Sequence, residues 1–168
     1  MNVRNRTTLA HTVVDSPIGP LAVVADDAAI VAVHFPNTPL RDGEGGPRDD
    51  DHPLLRQAAE QLAEYFAGER TAFDVPLAPA GTPFQLAAWT ALRSIPYGET
   101  VSYGEQARRL GDPNKSRAVG AANGRNPIPI IVPCHRVVGW NGHLIGFGGG
   151  VEAKAWLLDH EQRVRLAL

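Results

Sequence analysis

With 168 residues, 43% of them hydrophobic and 20% charged, the chain carries enough apolar content to bury a core in one ordinary domain or two small ones, and global disorder is excluded. No apolar run approaches the roughly 20 residues that span a bilayer, and the basic stretch Met1 to Thr8 leads into no signal-peptide core, so the expected location is the cytoplasm, with no membrane partner. The net charge of −2 divides unevenly, with six Arg against twelve Asp/Glu in residues 1–80 and ten Lys/Arg against six Asp/Glu in residues 81–168.

Thr12 to Asp15, Leu21 to Ala25 and Ile30 to Phe35 are short β-prone runs, the first two joined by the turn-rich Ser16-Pro17-Ile18-Gly19-Pro20. Pro36 to His52, dense in Pro, Gly and Asp, reads as an exposed, mobile loop. Pro53 to Ala67 places Leu54, Leu55, Ala58, Leu62, Tyr65 and Phe66 at helical spacing and stops at Gly68. Ala72 to Pro83 carries three prolines and has the composition of a linker, so the domains are set at 1–80 and 81–168.

In the second half, Thr82-Pro83-Phe84-Gln85 supplies an N-cap, a first-turn proline and a capping-box glutamine for a helix to about Ser94. Ile95-Pro96-Tyr97-Gly98 stops it. Ser102-Tyr103-Gly104-Glu105 is a second capping box, opening a helix to Leu110-Gly111, and Asp112-Pro113 starts a third that ends at Asn123-Gly124. Two short helices across a Gly-containing turn fit a helix-turn-helix as well as an ordinary helical hairpin. Val137-Val138 and Leu144-Ile145 flank Asn141-Gly142, a hairpin signal that would add a wing. After the glycines at 146 and 148–150, a last helix covers Glu152 to His160.

Cys134, the single cysteine, excludes an intrachain disulfide and a multi-cysteine zinc site. A lone cysteine is commonly a small buried hydrophobe, but this one is followed by His135 and Arg136, and cationic neighbours lower a thiol pKa and make it nucleophilic. Adjacent residues of a strand face opposite ways, so a Cys134–His135 partnership requires a turn. The glycines at 148–150 lack the Lys-Ser/Thr of a phosphate loop, and the remaining histidines show no metal-ligand spacing. Between 108 and 136 the cations Arg108, Arg109, Lys115, Arg117, Arg125 and Arg136 are offset by Asp112 alone, which fits nucleic-acid contact or a solvated helix face.

Pro133-Cys134-His135-Arg136, preceded by Asn126-Pro127-Ile128-Pro129-Ile130-Ile131-Val132, resembles the active-site segment of the O6-alkylguanine-DNA alkyltransferases. The likeness continues through Ile95 to Gly98, Ser102-Tyr103-Gly104, Arg117-Ala118-Val119-Gly120, Gly148-Gly149, Lys154, Trp156-Leu157-Leu158 and His160-Glu161, and covers about residues 82–162. The first half matches only in general form, through Asp15 to Leu21 and Tyr65 to Gly68.

The resemblance implies an α+β protein, with an N-terminal α/β (ribonuclease-H-like) domain before a helical, winged helix-turn-helix alkyltransferase domain. It implies single-turnover DNA repair, in which Cys134 takes the alkyl group from O6-alkylguanine, and O4-alkylthymine is a further candidate lesion. His135 would act as base through one water, oriented by Glu161; Asn126 would pin the cysteine segment, and Tyr103 would assist the departing purine and press on the phosphate that rotates. Arg117 would fill the stack vacated by the flipped base, with Ala118, Gly120, Arg136 and Tyr103 also at the DNA. Phe147, Gly148, Val137, Trp140 and Lys154 would line the alkylguanine pocket.

The implied partner is duplex DNA, bound through the minor groove without sequence specificity, by a protein that is a monomer in solution; clustering along DNA is left open. No cofactor and no metal are implied, and the N-terminal zinc ligands of some relatives have no counterpart set here. Phe147, where tyrosine is frequent, and Trp140, at a position often small or polar, depart from the family pattern. Other readings are a damage-binding protein of the alkyltransferase-like type, in which the cysteine is replaced, a winged-helix regulator with a redox thiol, and a Cys-His hydrolase.

Overall fold

The structure, a computed structural model, describes residues 8–144 and 147–168. The chain divides into two compact units, Met1–Pro79 and Ala80–Leu168.

The first unit is an antiparallel sheet of β1 (Ala10–Val14), β2 (Leu21–Ala25) and β3 (Ile30–His34), in that spatial order, with helix α1 (Pro53–Phe66) packed on it. In β1, Ala10, Thr12 and Val14 alternate inward, as period-two burial requires. They meet Leu55, Ala58, Leu62 and Tyr65, which recur at helical spacing along one face of α1. The stretch read as a linker is part of this unit up to Ala78. The Ile30 N–H donates to the Pro76 carbonyl at 2.8 Å and the Ala78 N–H to the Ile30 carbonyl at 2.9 Å, so residues 76–78 extend the sheet beside β3. Prolines suit such an edge position, where fewer N–H groups are needed. The loop 36–52 is mostly exposed but tethered, with Thr12 donating to Asp50 at 2.8 Å.

The second unit is helical. Helix α2 (Pro83–Leu92) begins with the full Thr82/Gln85 capping box. Two-residue strand β4 (Val101–Ser102) leads directly into α3 (Tyr103–Arg109); a 3-10 turn (Pro113–Lys115) then enters α4 (Ser116–Gly124). Only half of the second capping box forms: Ser102 accepts from the Glu105 N–H at 3.0 Å, while the Glu105 carboxylate turns to Arg108 and Arg109 at 2.6 and 3.1 Å. A second 3-10 turn (Cys134–Arg136) runs into β5 (Val137–Val138), and α5 (Val151–Ala167) closes the chain.

Strand β5 has a partner distant in sequence. Val137–Val138, both buried, pairs in parallel with the half-buried Val101–Ser102. The Asn141-Gly142 turn does form, closed by the Gly139 N–H to the His143 carbonyl at 2.8 Å; Ile145 lies outside the described residues. Among the described residues no helix is long and apolar enough to cross a membrane.

Candidate active site

The approach to Cys134 is bent twice. The Ile131 N–H donates to the Pro129 carbonyl at 2.9 Å around Ile130, whose φ of 73° is left-handed. The Cys134 N–H donates to the Val132 carbonyl at 2.8 Å around Pro133, at φ −82° and ψ 65°. Both are γ-turns, and the first is strained for a β-branched residue, by about 1–3 kcal/mol. Asn126 holds this path: its side chain donates to the Val132 carbonyl at 2.9 Å and accepts from the Ile128 N–H at 3.0 Å. The second bend delivers Cys134 and His135 into one 3-10 turn, which supplies the turn their partnership needs.

Behind this turn stands α5. Lys154, Leu157, His160 and Glu161 are its buried residues, so two charged side chains occupy an inward stripe where apolar ones are usual. The Glu161 carboxylate lies 2.6 Å from His135 Nε2 and accepts from Arg136 Nε at 2.8 Å and Nη2 at 3.1 Å, and from the Gly98 N–H at 3.1 Å. Arg136 Nη1 donates to the Ile95 carbonyl at 2.7 Å, and the guanidinium carbon sits 5.5 Å from the Tyr97 ring centre. Ile95 to Gly98, read from the sequence as a helix stop, therefore completes the carboxylate's surroundings. Glycine at 98 suits its φ of +78°.

Arg136 corrects the reading that placed it at the DNA. It is 7% exposed, and a cation withdrawn from water that far needs a fork of acceptors, which Glu161 and Ile95 provide. The thiol pKa is a second correction. Burial pushes Cys134 up, outweighing the lowering by Asn126 and the Lys154 charge, because Arg136 is engaged elsewhere. Cys134 is thus a resting thiol that needs a base.

His135 follows Cys134 in the same turn. Burial pushes its pKa down, against the pull of Glu161, so the ring is neutral. Burial would raise Glu161, but hydrogen bonds and charge from His135 and Arg136 outweigh it and hold the carboxyl well below its usual range. An ionised carboxylate fixes the proton on Nε2, leaving Nδ1 as the basic nitrogen. Nδ1 is buried and finds no hydrogen-bond partner among the described residues. A neutral imidazole nitrogen beside the thiol turn has the chemistry to accept a proton.

The β4–β5 ladder brings Tyr103, the first residue of α3, to this site. Lys154 Nζ lies 3.4 Å from its hydroxyl. Burial raises the Tyr103 pKa, and a thiolate at Cys134 would raise it further, keeping it a phenol able to donate. Lys154 is 1% exposed, and burial lowers its pKa.

Helix α4 shows a different face to solvent. Arg117, Ala118, Ala121, Gly124 and Arg125 are exposed and recur at helical spacing, giving a smooth stripe with a guanidinium at each end. Gly120 is not on it. A Cβ there would lie 3.7 Å from the Tyr103 ring, so Gly120 faces α3. Of the pocket residues, Val137 is fully buried in β5, Phe147 is half-buried, Gly148 is exposed, and Trp140 is 90% exposed at its turn. Sequence reasoning passed over the Ile95 carbonyl, Tyr97 and the Gly98 amide as site groups, and the buried pair Gln106 and Asn123. A polar residue at an inward helical position was the signal for that pair.

A buried thiol, a neutral histidine held by an ionised carboxylate and an exposed arginine-flanked helix fit the class of proteins that pair a cysteine nucleophile with a nucleic-acid-binding face. The model of the 6-O-methylguanine DNA methyltransferase DNA-binding domain matches residues 83–163, and that of the family's ribonuclease-like domain matches residues 9–79. The chain belongs to the 6-O-methylguanine DNA methyltransferase family. It is 47% identical to a methylated-DNA–protein-cysteine methyltransferase of Methanosarcina acetivorans over 90% of this chain and 97% of that one. The crystal structure of Mycobacterium tuberculosis O6-methylguanine methyltransferase superimposes with a TM-score of 0.86 at 45% identity, covering 93% of this chain and 94% of that one. That of Mycobacterium tuberculosis OGT in complex with DNA does so with a TM-score of 0.85 at 46% identity, covering 92% and 94%.

Proposed function

We infer that this protein repairs DNA by moving the alkyl group of O6-alkylguanine in a duplex onto its own Cys134, once per molecule. Sγ attacks the alkyl carbon in line; the S–C bond forms as the C–O6 bond breaks. The thiol proton passes through one water to His135 Nδ1; the departing guanine, hydrogen-bonded by the Tyr103 phenol, takes one proton from solvent, and the imidazolium returns its proton to solvent. Lys154 beside that hydroxyl favours donation. The thioether product has no leaving group that water displaces readily, so turnover is not expected.

The observation that carries this reading is His135. One nitrogen is fixed on a buried carboxylate, the other is bare, and both belong to the residue after the sole cysteine. The stacked O6 of a duplex is out of reach, so the lesion must leave the helix, at a few kcal/mol. The small, arginine-ended face of α4 suits a minor groove, with Arg117 filling the vacated stack. Few side chains there are able to read base edges, so affinity is electrostatic and indifferent to sequence.

Intact-protein mass after mixing with a duplex carrying one O6-methylguanine tests the reading. Expected is a gain of one methyl in place of hydrogen, mapped to Cys134 and saturating at one per protein. No gain with preferential binding of the lesion duplex would instead establish a damage-binding protein.

A further inference from the structure

Helices α3 and α4 face each other at two places, among others, that are spaced one turn apart on each. The first rung is Tyr103 against Gly120. The second is a reciprocal amide pair: Gln106 Nε2 donates to Asn123 Oδ1 at 3.1 Å, and Asn123 Nδ2 donates to Gln106 Oε1 at 2.7 Å. Gln106 and Asn123 are 1% and 3% exposed. Gln106 also donates to the Ala88 carbonyl of α2 at 3.3 Å, and Trp89 Nε1 of α2 donates to the Ala122 carbonyl of α4 at 2.8 Å. Three helices are thus joined by directional bonds where apolar packing would have sufficed.

Apolar faces tolerate sliding and small rotations; a reciprocal amide pair does not, because a displaced partner leaves a buried polar group unpaired, at about 1–3 kcal/mol. From the geometry we propose that Gln106 and Asn123 are positioning residues that set the register of α4 on α3, and thereby the station of Arg117 relative to Tyr103 when duplex DNA is engaged. Neither amide touches the reacting atoms. The pair acts through the helices it locks: α4 carries Arg117 at the DNA, and α3 carries Tyr103 beside Cys134. This rests on the reading that Arg117 engages the duplex.

The test compares two substrates of one chemistry: a duplex with a single O6-methylguanine, and free O6-methylguanine base at high concentration, which needs no docking of α4. The double variant Gln106→Met with Asn123→Leu removes both amides while keeping their bulk. Replacing both partners of a buried hydrogen bond by apolar groups is close to neutral, so the thermal midpoint should move by no more than about 4 °C. The duplex rate constant should fall tenfold or more while that for the free base stays within twofold.

An unchanged duplex rate in the folded double variant would overturn the proposal. So would an equal fall on both substrates, since the pair would then act on the thiol chemistry. If the apolar double variant does not fold, Gln106→Asn with Asn123→Gln keeps two buried amides but shifts their meeting point by one methylene. It should lower the ratio of duplex to free-base rates at least threefold, and an unaltered ratio refutes the lock. Arg117→Ala separates the underlying reading: if that variant also leaves the ratio unmoved, docking through α4 is wrong; if it alone lowers the ratio, only the amide lock is wrong.

Discussion

Glu161→Gln is the most informative single change, because it keeps the shape of the side chain and alters only its charge and one donor. The native carboxylate meets His135 at 2.6 Å, Arg136 at 2.8 and 3.1 Å, and the Gly98 N–H at 3.1 Å. In the amide, Oε1 still accepts from Arg136 Nε and Gly98. The new NH2 group, however, points its hydrogens at Arg136 Nη2, another donor, and at His135 Nε2. The ring responds by accepting at Nε2 and carrying its proton on Nδ1, the tautomer that accepts nothing from the thiol. Breaking a buried ion pair on one side costs about 3–5 kcal/mol, which lowers the melting midpoint by roughly 6–20 °C. Loss of the general base should slow methyl transfer on the order of 10²–10⁴-fold. Single-turnover mass spectrometry at low temperature, with circular dichroism showing the variant folded, separates the two effects. A folded variant that transfers methyl at the native rate would refute the assignment of Nδ1 as the base.

Stability should be greatest between about pH 6.5 and 8.5, the unfolded values of His and Cys. His135 and Glu161 are both depressed in the folded state, so their contributions are complete above their unfolded pKa values and drain away as the pH falls, histidine first. Cys134 is raised, so its contribution is complete below its unfolded pKa and drains as the pH climbs. Urea midpoints from pH 5 to 10 check this, and a midpoint that improves toward pH 5 contradicts it. Asn126→Ala removes two hydrogen bonds from the strained approach to the cysteine and should cost about 1–3 kcal/mol by denaturant titration, with slower transfer from any substrate. Arg117→Ala should slow repair of duplex DNA, and if it removes one phosphate contact the salt slope of log affinity should shrink by about 0.9. Gly120→Ala should be tolerated and stabilise α4 by roughly 0.5–1 kcal/mol, since the added Cβ meets Tyr103 at an ordinary 3.7 Å. A lower melting temperature with lost repair would show that the Tyr103–Gly120 contact is tighter than described.

Local chemistry was legible where it is written in adjacent residues. Thr82-Pro83-Phe84-Gln85 specified the start of α2 because both halves of the cap lie within one turn. The need for a turn at Cys134 followed from strand geometry, and Pro133 delivers it. What stayed hidden depended on burial. A sequence displays the charge of Arg136 but not its withdrawal from water, so a cation in a basic stretch was assigned to DNA when its fork belongs to Glu161. The same omission reversed the direction of the Cys134 shift. The β4–β5 ladder was illegible for another reason: two residues on each strand give no alternation, and the Asn141-Gly142 signal favoured the local partner over the distant one. Gln106 was passed over and Asn123 marked only a helix end, because amides usually face solvent and their burial is not written in the sequence.

The site separates two tasks along the chain. Preparation of the sulfur falls to buried groups on α5, the 3-10 turn and residues 95–98, all tied by bonds of 3.1 Å or less around Glu161. In the proposed function, engagement of DNA falls to the exposed face of α4, which shares no hydrogen bond with that cluster among the contacts described. Tyr103 is where they join, in contact with Gly120 on one side and Lys154 on the other. A protein that must find rare lesions benefits from this division, because undamaged DNA is able to press on α4 without disturbing the protonation of the thiol. Its consequence is a sorting rule for variants. Changes on α5 should lower transfer equally from duplex and free base, changes on α4 should lower transfer from duplex alone, and Tyr103→Phe should lower both, more steeply for the duplex, because it alone serves both tasks.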